Sequence, residues 1–368
     1  MRARTLLLLA LGVLLASGLA WWLVERQAQG DAVSETIALP GFAGRVDAVD
    51  RIEVLGAGAN PLVSIEKRDG QWLMPDRDGW PANQREVGSA LFRLGQVRRI
   101  EAKTADPGRH ARLGVEDVSA ADAKGTQLVL SGGAGEPVRV TVGNNHPTLG
   151  GSYVRLGDQA QAWLLDEDIA PARSAPDWLD RRLLDLPMAR IDLIRVTPAK
   201  GRAFVLSRVD DRFSLDGLSP NAMADPDAGN TTAQFTQQLP LDDVAKDTGA
   251  AATQTAVFET LDGLRITVAA WPQDAGTWAR LAVELDEDRA AAWFAKPPAA
   301  PGVEPDGAAA DSAGVDAAKA APSERRLADL RTQVDAWRQS FAGRQFLLPA
   351  EQAQALMRSR NDYLDGTR

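Results

Sequence analysis

A continuous apolar segment near the amino terminus constrains the chain more than any other feature. Residues Thr5 to Val24 contain no charged side chain. At about 1.5 Å per residue, a helix of roughly twenty residues is about 30 Å long, which matches the hydrocarbon core of a bilayer. We therefore expect a single N-terminal transmembrane helix, with residues 1–26 forming a cytoplasmic stub and membrane anchor.

The charges on either side of this segment predict its orientation. Arg2, Arg4 and the α-amino group lie on the N-terminal side, whereas Arg26 on the far side is offset by Glu25. Positive residues beside a first apolar segment tend to remain in the cytoplasm. We expect a single-pass protein of the inner membrane, with its N-terminus in the cytoplasm and its body in the periplasm or another extracytoplasmic space.

Small residues and a tryptophan pair predict two finer features of the anchor. Gly12, Ala16 and Ala20 recur every four residues, a spacing that lets another transmembrane helix approach closely, although Gly and Ala are common in any anchor. Trp21 and Trp22 are typical of the aromatic belt at a membrane interface. The sequence leaves the partner-binding surface of the body unknown.

A cleaved signal peptide is the alternative interpretation of the same segment. Its apolar region would span about 7–15 residues and end at small residues, so cleavage after Ala20 or Ala28 stays open. The longer run favours an uncleaved anchor. A lipoprotein with a lipid-modified cysteine is excluded, because the chain has no cysteine to carry the lipid.

The composition excludes several classes of site and partner. A net charge of −9 argues against nucleic acid, for which a basic patch is expected. Without cysteine there is no disulfide, no thiol nucleophile and no cysteine-ligated metal. His110 and His146 are the only two histidines. We therefore predict no metal site, no cofactor and no nucleic-acid partner.

The body of the chain contains an internal repeat. Residues 49–73 and 191–215 both begin with an I-x-V strand and continue through a second strand to an acidic turn and a bulky aromatic residue. Downstream, residues 126–142 and 255–268 both alternate apolar and polar side chains. Such alternation predicts half-buried antiparallel hairpins.

A helix is predicted between the two hairpins of the first copy. Asn83 and Glu86 have the spacing of a capping box. An apolar stripe with helical spacing follows, at Val87, Ala90, Leu91, Leu94 and Val97. The second copy has a weaker counterpart around Phe235 and Leu239.

These patterns predict an α+β fold after the transmembrane helix. Two tandem repeats of an antiparallel hairpin–helix–hairpin unit are expected, followed by a C-terminal helical tail. The predicted segments are the stub and anchor 1–26, the first α+β repeat 27–165, a connecting segment 166–190, the second α+β repeat 191–295, a disordered Pro/Ala/Gly linker 296–322 and a C-terminal helical segment 323–368.

The order of these elements resembles an uncharacterised bacterial family, a domain of unknown function. The resemblance covers roughly residues 1–295 and rests on the anchor, I-x-V, DG-x-W, ARLGVED, VTVG…GSYVRL and WLDRRLLDLP. Proteins of that family are often encoded beside gliding-motility-type ABC transporter subunits. The resemblance therefore implies a membrane-anchored extracytoplasmic accessory to an ABC transporter permease or other inner-membrane subunits. It supplies no active-site residue.

Residues that could perform catalysis are sparse. Asp166, Glu167 and Asp168 could hold a carboxylate pair for acid–base chemistry, and either histidine could act as a base. A loop around His110 and a turn around His146 favour structural roles. There is no phosphate-binding loop with a lysine and no serine nucleophile elbow. We predict no catalytic residue and no enzymatic activity.

Tryptophan placement offers one further prediction. Such residues at strand ends are expected to fill the core or to border a partner surface. The residues concerned are Trp72, Trp80, Trp163, Trp178, Trp271 and Trp278.

Three functional hypotheses remain. The first is a non-catalytic, membrane-anchored extracytoplasmic accessory or scaffold subunit, whose oligomeric state the sequence does not give. The second is a periplasmic module that binds a small molecule, a lipid or a glycan in a cleft between the two copies. The third is an enzyme that uses carboxylates.

Overall fold

Two large antiparallel sheets form the framework of the protein. The computed structural model describes residues 36–295 and 323–364, except residues 134 and 275. The chain separates into two units, Met1–Asp180 and Arg181–Arg368. Each unit contains one of the large sheets.

The first sheet has ten strands in the order β1-β6-β10-β9-β8-β7-β2-β3-β4-β5. Neighbouring strands are antiparallel throughout. The strands are β1 (Thr36–Ile37), β2 (Arg51–Leu55), β3 (Pro61–Arg68), β4 (Gln71–Met74), β5 (Trp80–Pro81), β6 (Arg98–Ala102), β7 (Thr126–Ser131), β8 (Val138–Asn145), β9 (Ser152–Leu156) and β10 (Ala162–Leu165).

Alternation along these strands places one face of the first sheet in the core. Ile52 and Val54 of β2 pair with Leu130 and Leu128 of β7. All four side chains are almost completely buried. Residues that lie directly opposite in an antiparallel pair share a face, so they form one apolar surface. Each such side chain contributes about 1.5–3 kcal/mol when fully buried.

Helix α1 (Gln84–Gln96) packs over this apolar surface, and the short helix α2 (His110–Leu113) follows β6. Asn83 Oδ1 accepts hydrogen bonds from Arg85 N at 3.2 Å and from Glu86 N at 3.3 Å, which begins α1. The predicted helix and its N-cap are confirmed. The reciprocal bond of a capping box is replaced, because Asn83 N donates to Trp178 O.

The second large sheet has eight strands in the order β14-β13-β12-β17-β18-β19-β20-β16. Two short strands, β11 (Arg182–Leu184) and β15 (Leu239–Pro240), pair separately. The remaining strands are β12 (Ile191–Pro198), β13 (Phe204–Val209), β14 (Arg212–Leu215), β16 (Asp243–Lys246), β17 (Gln254–Thr260), β18 (Leu264–Gln273), β19 (Gly276–Leu285) and β20 (Arg344–Leu348).

Four helices accompany the second sheet in the described residues. They are α3 (Ala228–Ala233), α4 (Glu287–Ala295), α5 (Ser323–Phe341) and α6 (Ala350–Leu356). Helices α4 and α5 contact one another, and α5 also packs on β19. Both lie in sequence between β19 and β20, where the first unit has only a short turn between β9 and β10.

The two large sheets share one strand order. The series β4-β3-β2-β7-β8-β9-β10-β6 corresponds, strand for strand, to β14-β13-β12-β17-β18-β19-β20-β16. The hairpins predicted at residues 126–142 and 255–268 are confirmed as β7–β8 and β17–β18. The internal repeat seen in the sequence therefore corresponds to a repeat of sheet topology.

The predicted fold class is wrong. The described residues form mostly antiparallel sheet and contain no separate hairpin–helix–hairpin unit. In the first unit the strand after the helix is β6, and it pairs with β10. In the second unit the strand of the large sheet after the helix is β16, and it pairs with β20. The expected helical tail is also wrong in part, because β20 joins the second sheet between β19 and β16.

The N-terminal transmembrane helix was part of the predicted fold class, which is wrong. Among residues 36–295 and 323–364, no helix combines the length and apolarity needed to span a bilayer. The predicted anchor 1–26, with Gly12, Ala16, Ala20, Trp21 and Trp22, lies outside the described residues. The predicted linker 296–322 also lies outside them.

Candidate functional site

A cavity of about 190 Å³ lies in the first unit between α1 and the sheet. Its floor is formed by side chains of β2 and β7, and one wall is formed by a flank of α1. Residues 169–172, which follow β10, form another wall. The buried lining residues are Ile52, Leu91, Leu94, Leu128, Leu130, Ile169 and Trp178. A concave and mostly apolar lining is typical of small-ligand sites.

Charged side chains border the mouth of this cavity. Glu86 and Arg93 belong to α1, and Asp177 belongs to a 3₁₀ helix, Ala175–Trp178. All three residues are exposed. Their side chains make no hydrogen bond or ion pair with any other residue that the structure describes. Two carboxylates and one guanidinium are thus available beside an apolar interior.

Hydrogen bonds hold the wall formed by residues 169–172. Ile169 N donates to Ser152 Oγ at 3.1 Å, which fixes the start of the wall to β9. Trp178 Nε1 donates to Ala172 O at 3.0 Å, which fixes its end. The indole of Trp178 is buried and also lines the cavity. The shape of the cavity is therefore set by the fold.

Asp168 precedes this wall and accepts three hydrogen bonds. Asn145 Nδ2 donates to its Oδ2 at 2.7 Å, while Ser152 Oγ and Ala170 N each donate to its Oδ1 at 2.9 Å. Burial raises the pKa of Asp168, but these donors and the charge of Arg93 outweigh burial and hold the pKa below its ordinary value. The carboxylate is therefore ionised at neutral pH and serves as a structural acceptor.

The second unit carries aromatic side chains at the corresponding position of its sheet. Ile52 pairs with Leu130 in the first unit, and Ile194 pairs with Phe258 in the second. The ring of Phe258 stacks on Phe235, with centroids 5.5 Å apart and planes inclined by 13°. The second unit thus has a buried ring, stacked on a second buried ring, at the strand position where the first unit has Leu130.

The two aspartates of the predicted carboxylate pair have separate hydrogen-bond partners. Asp166 Oδ1 accepts from Arg98 N at 2.8 Å, whereas Asp168 binds the donors described above. Glu167 is exposed. Both aspartates therefore have structural partners, and Asp168 is poorly suited to be a general acid because its pKa is lowered.

Both histidines also have structural partners. His110, predicted in a loop, begins α2 and is buried, with its Nε2 2.8 Å from Ala160 O. His146 Nδ1 accepts hydrogen bonds from Thr148 N at 3.2 Å and from Leu149 N at 3.1 Å, within a turn. The predicted structural role of each ring agrees with these contacts.

The six tryptophans singled out from the sequence are buried or half-buried. Trp163 and Trp278 are half-buried, and the guanidinium of Arg99 lies 4.8 Å from the centroid of the Trp163 ring. Trp178 contributes directly to the cavity. The four buried residues are Trp72, Trp80, Trp178 and Trp271.

Within the described ranges, no group of three or more His, Asp or Glu side chains is placed to hold a metal ion. The candidate helix-packing and interfacial residues between Gly12 and Trp22 lie outside those ranges.

Sequence reasoning missed the charged mouth. The stripe containing Leu91 and Leu94 was predictable, but Glu86 and Arg93 look like an ordinary solvated face of a helix. Asp177 lies far away in sequence. The available signal was weak: one flank of α1 carries small Ala90 between two charged residues at helical spacing.

Comparison with known proteins identifies a family. Residues 72–276 match the family model described as "Domain of unknown function (DUF4340)". No curated protein and no solved structure matches the chain. The matched region includes α1 and most of the residues that line the cavity, and it covers more than half of the 368 residues. The resemblance to a family of unknown function is therefore confirmed, and the chain belongs to the DUF4340 family.

Proposed function

We propose that this chain is a non-catalytic accessory or scaffold subunit of an ABC-type transport system, located at the extracytoplasmic face of the inner membrane. Its partners are the permease or other inner-membrane subunits. The location is supported by the length and flanking charges of the apolar segment Thr5–Val24, which lies outside the described residues.

The use of the titratable side chains supports a non-catalytic role. Asp168 holds the wall of the cavity, His110 binds a backbone carbonyl and His146 binds two backbone amides. These three side chains, which the sequence had singled out as candidates for acid–base chemistry, are thus occupied in maintaining the fold. This occupation is the observation on which the proposal mainly rests.

The choice of partner rests on the family resemblance. That resemblance implies an association with gliding-motility-type ABC transporter subunits. A body that contains two large sheets offers extensive surface for such subunits, since accessory proteins bind through surface area and a few anchor residues.

Co-purification from native membranes tests the proposal. The full chain is captured with its own segment Thr5–Val24 and, in a matched variant, with that segment replaced by poly-leucine. We expect an ABC permease or its ATPase to co-purify with the native chain. Retention by the poly-leucine variant assigns the contact to the body, and loss assigns it to the segment. If neither subunit co-purifies in either case, the proposal fails.

A second candidate function is the binding of a small molecule. The observation that favours it is the apolar cavity beneath α1, with its unpaired charges at the mouth. The sequence placed such a site between the two copies, whereas this cavity lies inside the first unit. A saturable rise in melting temperature on adding a ligand, lost when the cavity is filled, tests this candidate.

A further inference from the structure

The cavity beneath α1 has a definite size. An apolar cavity of about 150 Å³ in another protein stays dry and binds benzene. The present cavity, at about 190 Å³, therefore accommodates one aromatic ring or a branched alkyl group of similar size. A long acyl chain or a disaccharide would require the walls to move.

The charges at its mouth are unequal. Glu86 and Asp177 contribute two carboxylates, and Arg93 contributes one guanidinium. The positive charge of Arg93 also acts on Asp168, whose pKa it helps to lower, so that charge is already partly offset. The remaining field at the mouth is negative, which favours a cationic group and disfavours an anionic one.

The duplication within the chain provides an internal comparison. At the corresponding position of the second unit, Phe258 replaces Leu130 and its ring stacks on Phe235. The second sheet thus carries a larger side chain at the strand position that borders the cavity in the first sheet. Keeping the space open in the first unit costs dispersion contacts that a larger side chain would supply.

We propose that this cavity binds a small primary amine whose single ring or branched alkyl group fills the apolar interior while its ammonium group lies beside Glu86 and Asp177. The inference rests on the second candidate function and gives it a ligand class. The ring contacts Leu130 and Trp178, and the ammonium replaces water at the mouth. No covalent step is involved.

Binding is measured on the full chain, held in lipid nanodiscs so that no detergent tail competes for the cavity. The chain is labelled with 5-fluorotryptophan, and the resonance of Trp178 is assigned with Trp178→Phe. The probes are 2-phenylethylamine, 2-phenylethanol and phenylacetate, which share a ring and differ in charge. Trp271 of the second unit serves as the internal control.

We expect the Trp178 resonance to shift saturably with the amine, while Trp271 does not move. The amine should bind about tenfold more tightly than phenylacetate at low ionic strength, and added salt should narrow this ratio. The double variant Glu86→Gln with Asp177→Asn should remove most of the preference. Equal or tighter binding of phenylacetate would overturn the proposal, as would the absence of a shift with all three probes.

Two filling variants separate binding from folding. Leu130→Phe introduces the residue type that the second unit has at the corresponding position, and Ala90→Met fills the cavity from α1. Each should weaken amine binding at least tenfold while the protein stays folded. If either folded variant binds the amine like the original chain, the cavity is not the site. Co-purification of transporter subunits does not depend on the cavity. If the chain fails to bind the amine but still captures those subunits, only the amine proposal is overturned.

Discussion

Tyr363 and Thr232 are joined by a hydrogen bond of 2.7 Å between their hydroxyl groups, although 131 residues separate them in sequence. Tyr363 is completely buried, and its ring packs against Phe204 at a centroid distance of 5.5 Å. The hydrogen bond therefore ties the segment Arg360–Tyr363 to α3, and the ring contact ties it to β13. The C-terminal part of the chain belongs to the core of the second unit.

Removing this hydroxyl should destabilise the second unit. Tyr363→Phe leaves the ring in place and removes the Tyr363 end of the bond to Thr232. We expect the free energy of unfolding to fall by about 1–2 kcal/mol, measured by urea denaturation of the full chain. The matched control is Tyr153→Phe, at a half-buried tyrosine whose hydroxyl has no hydrogen bond to a described residue. A comparable loss in both variants would contradict the assignment.

The same tyrosine predicts a stability change in alkali. Burial raises the pKa of Tyr363 above its ordinary value of 10.0. Because the unfolded chain ionises first, the stabilisation is complete below the unfolded pKa and is lost as pH rises through the folded pKa. The stability difference between the original chain and Tyr363→Phe should therefore shrink above about pH 10. A difference that stays constant to pH 11 would contradict this.

Asp168 should stabilise the cavity wall in its ionised form. Asp168→Asn weakens the acceptor for Asn145, Ser152 and Ala170, and we expect a loss of about 1 kcal/mol at pH 7 after allowing for solvent screening. Because the pKa of Asp168 in the folded chain lies below its ordinary 3.8, the contribution is present above that value and is lost as pH falls through the folded pKa.

The measurement for Asp168 is the unfolding midpoint in urea between pH 7 and pH 3. The difference between the original chain and Asp168→Asn should narrow at the acidic end. Asp158→Asn, at an exposed aspartate of the same unit, is the matched control and should leave the midpoint unchanged. An equal effect of both substitutions would show that the hydrogen bonds to Asp168 contribute nothing specific.

Leu130 and Phe258 hold corresponding positions in the two units, and giving each position the other residue should lower the free energy of unfolding by unequal amounts. Phe258→Leu removes a ring from the stack with Phe235 and should cost about 1–2 kcal/mol. Leu130→Phe adds a ring where open space already exists and should cost less, because the new atoms enter the cavity. Denaturation of both variants measures the difference. A larger cost for Leu130→Phe would mean that the cavity cannot accept a ring.

Local features of the fold were predictable because they depend on short-range periodicity. The Asn83 cap and the stripe through Leu91 identified α1, and alternation around Val140 and Val268 identified two strands. The repeat was also visible, because corresponding strands carry similar residues in both copies.

Strand neighbours were not predictable, because periodicity shows which side chains are buried but not which strand lies alongside. β6 pairs with β10 across a long stretch of chain, and β20 enters the second sheet after two helices. The cavity was equally hidden, since its floor and walls come from β2, β7, α1 and residues 169–172, which are distant in sequence. The charges around it come from segments that meet only in the folded chain.

Anomalous diffraction from crystals of the full chain soaked with 2-(4-bromophenyl)ethylamine tests whether the cavity beneath α1 is the amine-binding site. The bromine gives an anomalous difference peak that locates the ring without reference to the protein density. We expect a peak beneath α1, within about 4 Å of side-chain atoms of Leu130 and Trp178, which is absent in Leu130→Phe. A peak found only elsewhere, or one that persists beneath α1 in Leu130→Phe, would contradict this expectation.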